Sequence, residues 1–128
     1  MASPPFAVVL RISGVAVSQS DLETALGVGL VRYEPARAGP LHYAQIDVLT
    51  KDDPWAGIID CVERFGSQIQ ALKKDRSIGR VSIDLAVSFD ERFAVVTYNL
   101  PSHIAEAVGR QGIDVEFSVY VGSDDVIH

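Results

Sequence analysis

Residues 80–89 alternate almost without a break. Val81, Ile83, Leu85, Val87 and Phe89 fall on one side of an extended chain, with Arg80, Ser82, Asp84, Ala86 and Ser88 on the other. That two-residue period predicts a strand buried on one face only. Residues 113–121 repeat the pattern, with Ile113, Val115, Phe117, Val119 and Val121 opposed to Asp114, Glu116, Ser118 and Tyr120. A third alternation spans 41–49, where Ala44, Ile46 and Val48 face away from Tyr43, Gln45 and Asp47. Residues 6–13, rich in β-branched side chains, predict a first strand closed by Gly14. After Asp90-Glu91-Arg92, a tight reversal, residues 93–100 predict the return strand of an antiparallel hairpin.

The helical period appears in three places. Between 53 and 74, Asp53 and Pro54 supply an N-cap and a proline at the first helical position. Trp55, Ile58, Ile59, Val62, Phe65, Ile69 and Leu72 then recur along one stripe, with Asp60, Glu63 and Arg64 opposite. Burying that stripe contributes on the order of 10–20 kcal/mol of gross apolar transfer, which makes this helix the main packing element. A shorter helix is predicted from Ser18 to Gly27. There Ser20 and Glu23 have capping-box spacing, Leu22, Ala25 and Leu26 face inward, and Gly27 supplies the stop. A third spans 101–111, with Ile104, Ala105 and Val108 inward and Gly112 after it. Residues 28–40, with Gly29, Pro35, Gly39 and Pro40, read as a long irregular connection.

These elements give the order β-α-β-α-β-β-α-β. The expected class is α+β, a two-layer sandwich in which a mixed five-stranded sheet carries three helices on one face. Two strands with one polar face each argue against helices on both sides, since doubly covered strands are apolar throughout. Residues 1–128 form one domain on this reading, with flexible ends at 1–5 and 123–128.

Composition narrows the function more than the fold. Eleven basic and seventeen acidic residues give a net charge of −6, which repels phosphate backbones and argues against nucleic acid as a general partner. No stretch approaches the roughly 18 apolar residues of a membrane span. Arg11 interrupts the only early apolar run, unlike a secretory leader. The lone cysteine, Cys61, fits a reducing compartment, and the expected location is cytoplasmic.

No assembled chemistry is legible. His103 and Glu106 share a helix face without further metal ligands, so no metal and no cofactor is expected. Cys61 lies at the edge of the apolar stripe and reads as a packed thiol rather than a nucleophile. Arg32 and Arg37 could hold an anion in the irregular connection, although Glu34 sits between them. The uncovered sheet face is the main candidate site, with Arg11, Tyr43, Asp84, Glu116 and Tyr120 as its binding residues and Asp47 and Asp114 beside them. No catalytic residue is assigned.

Several segments resemble a family of small bacterial proteins catalogued as domain of unknown function 4279. Phe6-Ala7-Val8-Val9-Leu10-Arg11-Ile12-Ser13-Gly14 is similar to its first strand and turn, and Asp21-Leu22-Glu23-Thr24-Ala25-Leu26-Gly27-Val28 to its first helix. Leu100-Pro101-Ser102-His103 and Gly112-Ile113-Asp114-Val115-Glu116-Phe117-Ser118-Val119-Tyr120 resemble its last helix and strand. Many members carry tryptophan where this chain has Tyr43. The resemblance implies a bacterial cytoplasmic domain, sometimes encoded beside toxin–immunity systems, with no established site to carry over.

The leading expectation is a non-enzymatic module that docks a protein partner, in one version an immunity-like blocker of a basic toxin. The alternative is a sensor or enzyme with a small-molecule site between the sheet and residues 28–40. A third is self-association through the bare sheet face.

Overall fold

The computed structural model describes residues 5, 7–36, 38–48 and 53–121. The elements are β1 (Ala7–Val15), α1 (Gln19–Leu26), β2 (Arg32–Glu34), β3 (His42–Asp47), α2 (Pro54–Lys74), β4 (Val81–Phe89), α3 (Ser102–Arg110) and β5 (Asp114–Val121). The strands form one sheet in the order β2-β3-β1-β4-β5. β1 pairs antiparallel with both β3 and β4, β2 pairs antiparallel with β3, and β4 with β5 is the parallel pair. The sheet is therefore mixed and five-stranded. All three helices contribute to one core, in which Leu22 and Leu26 of α1, Ile58, Val62, Phe65 and Ile69 of α2, and Ile104 and Val108 of α3 meet the inward residues of β1, β3 and β4. Among the described residues, no helix is long and apolar enough to cross a membrane. Of the ends expected to be flexible, 1–5 and 123–128, residues 1–4 and 123–128 lie outside the described residues, and Pro5 is buried.

The long helix begins and ends where its pattern predicts. Asp53 caps it, accepting from the Trp55 and Ala56 amides, and Pro54 opens it. α1 is capped by Ser18 rather than by the capping box of Ser20. The Ser18 hydroxyl accepts from the Asp21 amide, and Gly27 closes the helix at φ 71°. Glu23, free of any capping duty, instead accepts the Leu30 amide at 2.9 Å and ties down the start of the next connection.

Two strand assignments differ from the sequence expectation. Residues 93–100 form no strand, so the hairpin does not exist. β4 has two edges; β1 occupies one, and β5 takes the other in an unbroken parallel register from Ser82–Asp114 to Phe89–Val121. No edge remains for a return strand, and the segment becomes the connection to α3, with the Tyr98 hydroxyl donating to the Ser88 carbonyl. The fifth strand is β2, inside the stretch read as irregular. Tyr33 anchors it by donating to the Val17 carbonyl at 2.7 Å and packing beside the His42 ring. Gly14 likewise does not end β1. At φ 65° it forms a bulge, and a Cβ there would meet the Gly79 Cα at 3.2 Å. The left-handed dihedral favours glycine, and the close approach of Gly79 leaves little room for a side chain.

Candidate functional site

The face of the sheet opposite the helices is polar, and the twist of the strands connects its side chains on the diagonal. Arg11 stands opposite Gln45 of β3 and Ser82 of β4. Its guanidinium reaches two residues along β4 to Asp84, with Nε and Nη2 donating to Oδ2 at 3.1 and 2.6 Å. In the other direction Nη1 lies 3.4 Å from the Tyr43 hydroxyl, which donates to Gln45 Oε1 at 3.1 Å. From β5, the Ser118 hydroxyl sits 2.8 and 2.7 Å from the two Asp84 oxygens. One chain of bonds thus runs Gln45–Tyr43–Arg11–Asp84–Ser118 across four strands. Beside it Ser82 donates to Glu116, and farther along Arg80 pairs with Asp114 at 2.8 Å.

Burial on this face is uneven. Asp84 is 5% exposed and Ser82 4%, although no helix covers them; the side chains from β1 and β5 that bond to them lean over β4. The side chain of Arg11 remains 40% exposed. A buried carboxylate is tolerated only when paired and hydrogen-bonded, and Arg11 with Ser118 meets both conditions. Burial by itself disfavours the Arg11 cation, but the hydrogen bond to Asp84 and the charge of that carboxylate, with the Tyr43 hydroxyl beside it, outweigh it and hold the pKa above the ordinary arginine value. Among the described residues no buried side-chain nitrogen or oxygen lacks a partner.

All five face residues expected from the sequence lie here, though they do not form one cluster. Arg11, Tyr43 and Asp84 are joined directly. Tyr120 joins Arg11, Gln45 and Asp84 in lining a shallow depression of about 120 Å³. Glu116 belongs to the neighbouring Ser82 bond. Ser118, Gln45 and Ser82 were not singled out from the sequence, although their parity in the alternation already placed them on this face. Arg32 pairs with Glu34 at 3.3 Å, both more than half exposed; Arg37 lies outside the described residues.

Among the described residues the face brings no nucleophile and base together. Ser118 bonds a carboxylate rather than a histidine. His42 sits at the start of β3 with Nδ1 accepting the Ala36 amide at 2.9 Å, His103 is exposed on α3, and His128 lies outside the described residues. Asp84 already accepts from Arg11 and Ser118, and Glu116 from Ser82. No group of three or more metal-ligating side chains occurs among the described residues. Cys61 is buried, and desolvation, aided by Asp60 and opposed by Arg64, pushes its thiol up to about 11. At neutral pH it is a packed thiol.

Two other hollows are relevant. The space between Val28, the end of β3 and α2, lined by Asp47, Cys61, Arg64 and Phe65, holds about 90 Å³. A broader groove of about 360 Å³ runs over Asp53, Trp55, Ile59, Asp60, Glu63 and His103 on the outer helix surface. Against protein-family models, curated protein sequences and solved structures, the chain has no match.

Proposed function

We propose that the protein is a binding module that docks a protein partner on the open sheet face. The observation that carries this reading is the ordered network under that face. Arg11 and Tyr43 are held in fixed positions by bonds to Asp84 and Gln45 while part of their surface remains accessible. Side chains ordered before binding lose less entropy when a partner arrives, and arginine and tyrosine are the residues that carry most contact energy at interfaces.

Size favours this reading over a small-molecule site between the sheet and residues 28–40. Pockets for metabolites typically enclose about 300–1,000 Å³. The depression on the face offers about 120 Å³, and the space beside residue 28 about 90 Å³. Neither space reaches that size, and the groove that does, about 360 Å³, lies on the outer helix surface away from both, whereas an open sheet face suits a protein surface. Charge indicates the partner's chemistry. The pairs Arg11–Asp84, Arg80–Asp114 and Arg32–Glu34 cancel, so Asp47 and Glu116 leave the face acidic, in line with the net −6 of the chain. A partner with basic side chains is steered toward it. The immunity-like version, in which the face blocks a basic toxin, agrees with that charge and with the resemblance to domain of unknown function 4279.

The test is affinity capture from an extract of the source organism at low salt, with the unmodified chain and a Tyr43→Ala/Tyr120→Ala variant side by side. A basic protein retained by the first and lost by the second supports the proposal. Retention of nothing, or equal retention by both, refutes it.

A further inference from the structure

β5 is an edge strand, hydrogen-bonded to β4 alone among the described strands. Its eight residues run in unbroken register and include no proline, glycine, lysine or arginine. Proteins ordinarily guard an edge with proline, with charged side chains, lysine above all, with bulges or by shortening the strand; the charges on β5 are Asp114 and Glu116, both in its first half, and β2, at the other edge, has only three residues. The helix layer also stops short of the end of β5. α3 has nine residues, about 14 Å at its rise per residue, whereas eight strand residues extend about 26 Å. Exposure on the helix side accordingly climbs along the strand. Val115 is half-buried, Phe117 is 46% exposed, Val119 51% and Val121 57%. An edge without charge, proline or bulge in its second half and an apolar stripe therefore lie side by side.

We propose that this edge pairs with the same edge of a second copy, β5 antiparallel to β5, about a two-fold axis normal to the sheet at Ser118. The product is a continuous ten-stranded sheet with both helix layers on one side. Opposed residues in an antiparallel pair point to the same side, so Phe117 meets Val119 of the second copy and Val115 meets Val121 of the second copy. On the polar side Glu116 comes opposite Tyr120 of the second copy. Charge favours this pairing. Both carboxylates, Asp114 and Glu116, lie in the first half of the strand and the second half is neutral. An antiparallel dimer sets each acidic half against a neutral one, while a parallel dimer would place Glu116 beside Glu116 of the second copy. The paired segment with its half-exposed side chains removes on the order of 1,000 Å² in total, the lower bound for a specific interface, which corresponds to weak, reversible association.

The experiment is sedimentation of the purified chain across two decades of concentration, alongside Val119→Lys and Val31→Lys. Val31 is 55% exposed and lies beside β2, at the other edge. The expected result is a reversible monomer–dimer equilibrium, weakened at least about tenfold by Val119→Lys and unchanged by Val31→Lys, with circular dichroism confirming that both variants fold. Hydrogen exchange on the unmodified chain provides a readout without substitution, because the β5 amides should slow as concentration rises. A chain monomeric throughout, a dimer indifferent to Val119→Lys or equally sensitive to Val31→Lys, or β5 exchange independent of concentration overturns the proposal. Strand addition by a different protein would be such a monomeric outcome.

Discussion

Removing Arg11 strands a charge, and the cost is large enough to measure. In Arg11→Met, Asp84 keeps the Ser118 hydroxyl and loses its cation while remaining 5% exposed. Breaking a fully buried ion pair costs about 3–5 kcal/mol. Because 40% of the Arg11 side chain is exposed and water can approach that end of the pair, the expected loss is about 2–3 kcal/mol after discounting for solvent. The reverse substitution is milder. In Asp84→Leu the guanidinium can turn to solvent, and the loss is about 1 kcal/mol, the net worth of an ordinary hydrogen bond. The double variant should resemble Asp84→Leu, leaving a coupling of about 2–3 kcal/mol in a double-mutant cycle. Urea titration with linear extrapolation gives each value. The Arg80–Asp114 pair, with both side chains about 60% exposed, serves as the comparison; its coupling should be only a small fraction of the first and should fade with added salt. Equal couplings for the two pairs, or an Arg11→Met no costlier than Asp84→Leu, would show that burial of Asp84 has no energetic weight.

Three further outcomes follow from local chemistry. The Cys61 thiol is raised from an ordinary 9.0 to about 11, so the unfolded chain deprotonates first. Stability attributable to this group is intact below pH 9 and falls as pH rises toward 11, by roughly 2–3 kcal/mol; urea midpoints across that window should drop less in Cys61→Ala, and disulfide reagents at pH 8 should label the folded protein only slowly. Gly14→Ala should cost roughly 1–3 kcal/mol through strained backbone and contact with Gly79, whereas Gly27→Ala, at a similar φ with nothing within 4 Å of its Cβ, should cost less; thermal melts giving the opposite order would contradict the close approach of the two glycines. Asp53→Ala removes the acceptor for two amides at the start of α2 and should lower stability by about 1 kcal/mol in the same melts.

Much of this protein could be read along the chain because its signals are local. The stripe from Trp55 to Leu72, with Asp53-Pro54 ahead of it, is a helix in almost any context, and α2 spans 54–74 accordingly. The alternations at 41–49, 80–89 and 113–121 assigned each of their side chains to a face, so Tyr43, Asp84, Glu116 and Tyr120 were grouped on the side away from the helices, where Arg11 of β1 joins them. Residues 93–100 carried a strand-like composition as well, yet whether they pair depends on which edges are vacant, and that is a property of the whole sheet. β1 and β5 fill both edges of β4, and three residues near Tyr33 became a strand because an edge of β3 was open to them. Strand order also decided the site. Alternation places Arg11 and Asp84 on the same face, but only the β1–β4 register sets them one diagonal step apart, and only β5 alongside brings Ser118 to close the carboxylate's remaining side. A side chain's face follows from the two-residue repeat of its own strand, whereas its neighbours follow from long-range pairing, which no local stretch of residues encodes.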